Sequence, residues 1–223
     1  MIKSTLLRNT GVTGIVLYLL VLAEIHLYFV YTPTPEGTPP PNTVLIRILL
    51  DLFICAGLIG FFSQFKYIVA QLHPDHIRIG DFLFSCGLAF AIVSLIADAI
   101  QSGSIWIANN KPVNPTWVGY GAEGALLIYG PINRLLNTII LFTGSTLIIK
   151  TNLFPKWTAV LGYIFAVYNL AFVPTIFFMT TPLDFYSVNG WNIPIAAGLF
   201  FLWILIISVF LIGKKTAGPH ALI

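Results

Sequence analysis

The chain has 223 residues, of which 57% are hydrophobic and 9% charged, and its mean hydropathy is +0.90. A soluble domain carries about 25% charged residues, so the composition excludes an ordinary soluble fold and predicts an all-α, polytopic transmembrane bundle. The net charge of +3 is dispersed through loops, with no basic stripe and no nucleic-acid motif, which argues against nucleic acid as a partner.

Six spans are predicted in one integral membrane domain covering residues 1–223. The first, about 9–31, follows Lys3 and Arg8; its apolar run is too long for a signal peptide, so a retained first helix is expected. A proline-rich loop, TPTPEGTPPP over 32–41, cannot be helical and reads as extended. The second span, about 43–65, is written with a possible continuation to Leu72, and HPDHIRIG separates it from the third, about 81–108. The fourth, about 123–149, follows a polar loop and the flexible lead-in GYGAEG. KTNLFPK is a tight, basic connection to the fifth span, about 157–179, and the sixth is about 191–213.

Basic residues set the expected orientation. With the N-terminus inside, eight of the eleven lysines and arginines fall on the cytoplasmic side, and only Lys111 lies clearly outside. Both termini are therefore expected in the cytoplasm, in the inner membrane of a bacterium. Tyr31, Trp117, Tyr120, Tyr186 and Trp191 suit the outer interface and Trp157 the inner one.

The fourth span poses the main physical problem. Arg134 lies eleven residues beyond Glu123, or about 16 Å at helical rise, close to the middle of a hydrocarbon core roughly 30 Å thick. A guanidinium keeps its charge there and needs acceptors. Other polar residues share its level: Glu24 and His26 in the first span, Arg47 and Asp51 in the second, Asp98 and Gln101 in the third, Asn133 and Asn137 in the fourth, Tyr168 and Asn169 in the fifth. Five spans placing polar groups at one depth predict side chains that face one another around an outward-opening cavity. Arg47 and Asp51 stand four apart, one helical turn, and are expected to pair. Arg134 is expected to bond a carboxylate from another helix, Glu24 or Asp98. Asn137 and Asn169 suit hydrogen bonding between helices, and His26 suits a side chain reaching the interface. Pro131 and Pro174 free backbone carbonyls for such groups.

Several chemistries find no support. Cys55 and Cys86 lie in apolar segments and form no CxxC. His73-Pro74-Asp75-His76 offers two histidines and an aspartate but no third strong ligand, and reads more simply as a turn. No Walker loop, Rossmann fingerprint, HExxH or GxSxG is present, so neither metal nor cofactor is expected.

RNTGVTGIVLYLL in the first helix, VLIRILLDLF around Arg47 and Asp51, and TNLFPKWTAVLGYIFAV leading into the fifth resemble a bacterial family of six-helix integral membrane proteins catalogued as domain of unknown function 4386. The likeness spans nearly the whole chain; the proline-rich first loop departs from the family pattern. The resemblance implies a helical membrane bundle and carries no activity or catalytic residue.

Three functions fit the residues themselves. One is an enzyme or receptor for a lipophilic small molecule, with Glu24 and Asp98 as candidate proton donors or acceptors. In that reading Arg134, Asn137, Tyr168, Asn169, Arg47 and Asp51 are candidate binding residues, and Arg134 holds an anionic headgroup or a carboxylate. A second is an accessory or scaffold protein whose polar cluster only fixes helix packing. A third is a small-solute transporter, against which the absence of visible inverted repeats counts. Membrane lipids are the partners common to all three.

Overall fold

The computed structural model describes residues 4–29, 40–107, 124–178, 185–188 and 190–214. Among the described residues, six helices are long and apolar enough to cross a membrane. They are α1 (Ser4–Phe29), α2 (Pro41–Leu72), α3 (Ile77–Ile107), α4 (Gly124–Thr151), α5 (Lys156–Ala171) and α6 (Asn192–Gly213). Short 3-10 turns follow α2 (Pro74–His76) and α5 (Val173–Phe177). Most of loop 32–41, along with Lys111, Tyr31, Trp117 and Tyr120, lies outside the described residues.

Local chemistry places the helix ends. Pro41 sits at the first position of α2, where a missing N–H costs nothing. α2 has 32 residues, about 48 Å at helical rise, so it outlasts a bilayer core and continues to Leu72, the longer of its two expected ends. It stops at His73, whose backbone leaves the helical region just before Pro74. α4 closes on Asn152 in the left-handed conformation (φ 49°), a position that asparagine tolerates better than most residues. Pro155 then sets up the start of α5.

The helices close into a ring in chain order: each packs against the next, and α6 returns against α1. The half nearer Lys66, Lys150 and Lys156 is dry and aromatic. Phe61 and Phe65 stack at 6.0 Å, Phe65 and Phe154 at 6.2 Å, and Trp203 is 2% exposed. The indole fits because α4 and α5 offer Gly144 and Gly162 against it; a Cβ at these positions would fall 2.5 Å and 2.7 Å from its ring. Its Nε1 donates to the Thr158 carbonyl at 3.1 Å, so its polar atom is satisfied in the core.

Candidate functional site

The other half of the ring contains the polar residues, and two helix irregularities shape it. α4 widens into a π turn over Ile128–Ile132 where Pro131 lacks the N–H that the regular ladder requires. Gly130 leaves helical geometry there (ψ −109°), and Asn133 resumes the helix. α5 stops at Ala171 and tightens into the 3-10 turn containing Pro174. These breaks pack directly against each other on neighbouring helices, and both leave backbone groups to be satisfied by side chains.

Arg134 does this for α5. Its Nη1 donates to the Phe172 carbonyl at 3.1 Å and to Thr175 Oγ1 at 2.7 Å, and its Nη2 donates to Asn192 Oδ1. The guanidinium carbon also lies 5.8 Å from the Phe172 ring centre. The side chain is 1% exposed. Asn192, at the start of α6, is held in turn by donating to the carbonyls of Phe185 and Ser187. The expected carboxylate partner is absent: among the described residues no acid lies within salt-bridge distance of Arg134. The reason is the break in α5. It frees acceptors close to the guanidinium, while the candidate acids are drawn to the opposite side of the ring.

On that side, Asp98 of α3 accepts from the Tyr129 hydroxyl, which the π turn of α4 presents to it. Asp51 of α2 stands near enough to Asp98 for the two charges to act on each other. Glu24 of α1 stands near enough for its charge to act on Asp51. Arg47, one turn before Asp51, is buried, and its charge acts on all three carboxyls. Arg47 thus acts on Glu24 and Asp98 as well as on Asp51.

Between the two sides lies a cavity of about 80 Å³. Glu24 and Asp51 line it on the acid side, and Tyr129, Asn133, Arg134 and Asn137 on the α4 side. Asn133 donates to Ser94 Oγ at 3.0 Å, and Asn137 reaches Asn169 Oδ1 at 3.5 Å. Asn133 Oδ1, Arg134 Nε and Asn137 Oδ1 are buried without a partner. Val21, Ile25, Ile54, Phe90, Ile193 and Phe201 supply apolar surface to the same space.

The remaining expected residues are more peripheral. Asn169 is buried beside Asn137 and donates to the Phe165 carbonyl at 2.9 Å. Tyr168 is half-buried and packs on Phe172, ring centres 4.9 Å apart. Gln101 is buried one turn beyond Asp98, and His26 is exposed. His73 begins the turn Pro74–His76 at the far end of the bundle, where partial burial and the neighbouring Lys214 lower its pKa.

Tyr129, Ser94, Thr175 and Asn192 belong to the site and were not singled out from the sequence. Ser94 had a readable signal, lying one helical turn before Asp98. Tyr129 had one too, immediately before the Gly-Pro pair that distorts α4. Thr175 and Asn192 depend on where α5 breaks and on the path of the chain into α6, and no spacing reveals either.

No protein-family model, no curated protein and no solved structure matches the chain.

Proposed function

We propose that this multi-pass membrane protein binds, and as an enzyme processes, a lipophilic small molecule held by its polar end. The carrying observation is a cavity at the level of Arg134 with ionisable groups on two sides and aliphatic and aromatic surface between them. A cluster serving only helix packing satisfies its polar atoms, because an unpaired one buried in low dielectric is costly. Here three are left over on the cavity-lining residues Asn133, Arg134 and Asn137, which favours a site over a scaffold. The size favours a headgroup: drug-sized ligands occupy about 300–1,000 Å³, so at about 80 Å³ only the polar end is enclosed and the remainder lies along the apolar lining. Tyr129 on Asp98 and the adjoining Asp51 supply a proton-transfer group beside it.

The test is to present a bacterial total lipid extract to delipidated protein and record bound species by native mass spectrometry. Wild type is expected to retain a defined adduct, and Ala197→Phe, which fills the cavity from α6, to lose it. Equal retention by both would place the adduct on the bundle exterior and remove this reading.

The broken α4 and α5 favour transport as a second reading, since discontinuous helices facing a mid-membrane cavity are a transporter feature. The location proposed is a bacterial cytoplasmic membrane with both termini inside, supported by the eight basic residues on one side. A reporter fused after Lys66 is expected to read cytoplasm; an exterior signal would invert the bundle.

A further inference from the structure

We propose that the polar end taken by this cavity is zwitterionic, an ammonium group against Glu24 and Asp51 joined by a few atoms to an acidic oxygen against Arg134. The inference rests on the binding function proposed above and specifies its ligand class.

Two oppositely charged sides share one cavity without pairing with each other. Glu24 and Asp51 line it, and three carboxyls to one arginine leave that side with an excess of acid. Arg134 lines the same space, is 1% exposed, and is bonded only to neutral acceptors, with no acid within salt-bridge distance among the described residues. A buried charge without a counter-charge is strongly unfavourable, and the attraction between separated charges is large at low dielectric. The chain nevertheless holds the two apart with a space between them.

The residues that line the space also carry buried hydrogen-bonding atoms without a partner. On the cavity-lining residues these are two acceptors, Asn133 Oδ1 and Asn137 Oδ1, and one donor, Arg134 Nε. With the Glu24 and Asp51 carboxyls added, acceptors outnumber donors. An ammonium group brings three donors and no acceptor, which suits the acid side. An amine alone would place a second cation beside Arg134, and an acid alone would leave the carboxyl side unmatched and add to its charge. A molecule carrying both groups supplies the missing anion for Arg134 and the missing cation for the carboxyls. Each of its charged ends is met by an opposite charge in the cavity, which offsets the cost of desolvating it.

This chemistry has two sources, a free α-amino acid or the headgroup of an ethanolamine phospholipid. The full chain in detergent, freed of lipid, would be titrated by calorimetry with alanine, ethylamine, acetate, dihexanoyl phosphatidylethanolamine and dihexanoyl phosphatidylglycerol. A zwitterionic probe is expected to bind at least about tenfold more tightly than the single-charge probes, and whichever of alanine or the ethanolamine lipid responds identifies the source. Arg134→Gln is expected to reduce that probe to the level of ethylamine. Glu24→Gln is expected to reduce it to the level of acetate, and provides a second arm at a half-buried site if Arg134→Gln fails to fold. Ethylamine, acetate or the glycerol lipid binding as tightly as the zwitterions overturns the inference while leaving a binding site in place. No response to any probe, together with no adduct from the lipid extract, means that water alone fills the cavity and ends both proposals.

Discussion

The two halves of the ring are built on opposite rules. In the aromatic half Trp203 fills a space shaped for it by Gly144 and Gly162, and its indole N–H has its acceptor. In the polar half the helices are interrupted, one arginine serves neutral acceptors, and buried oxygens and nitrogens remain without partners. Membrane helices associate through close packing and hydrogen bonds, since lipid is as apolar as their own surfaces. The aromatic half meets that requirement through Trp203 and the stacked phenylalanines, so it can hold the ring together while the polar half departs from it. Departures of this kind are expected where a protein keeps a functional site.

The sharpest way to break the comparison is to damage the dry half. Trp203→Ala removes a side chain that is 2% exposed and leaves a void between Gly144 and Gly162, where no neighbouring side chain can collapse far. A loss of about 3–5 kcal/mol is expected, the range for deleting a buried tryptophan. Thermal unfolding in detergent, followed by circular dichroism, measures it. A loss below that of the asparagine changes discussed next would mean that stability resides in the polar half and that the two halves have been assigned the wrong way round.

The division between halves also explains what the sequence could reveal. Six helices were legible because composition and hydropathy act over twenty residues at a time, and a bilayer core admits few alternatives. The common depth of Glu24, Asp51, Asp98, Arg134 and Asn137 was legible by counting residues along each span. The partners of Arg134 were not. The expectation of a carboxylate followed from charge alone, whereas the structure uses the Phe172 carbonyl, Thr175 and Asn192. Pro174 signalled that carbonyls would be released near this depth, but the turn to 3-10 geometry decides which one meets the guanidinium. The wider reach of Arg47 was hidden for a related reason. Spacing along one helix identifies neighbours on that helix, while Glu24 and Asp98 arrive from two others and share the same arginine.

The smallest effect distinguishes the two asparagines that the sequence treats alike. Both were expected to join helices, and the one contact between them is long; only Asn169 also has a bond of ordinary length, within its own helix. Asn169 donates to the Phe165 carbonyl at 2.9 Å and is fully buried. Asn137 reaches it at 3.5 Å, the outer limit of a hydrogen bond, and keeps its Oδ1 unpartnered at the cavity. Asn169→Leu should therefore cost about 0.5–1.5 kcal/mol, the net worth of a typical hydrogen bond, because it deletes that bond within the helix together with the contact from Asn137. Asn137→Leu should cost less, because it deletes a weak bond and replaces an unsatisfied oxygen with apolar atoms beside open space, a change that can be nearly neutral. The same substitution removes an acceptor from the proposed site, so it should weaken ligand binding more than it weakens the fold. Melting temperatures of both variants, with and without the adduct found for wild type, provide the measurement. Equal destabilisation with no change in binding would return Asn137 to the packing half and shrink the polar site to the carboxyls and Arg134.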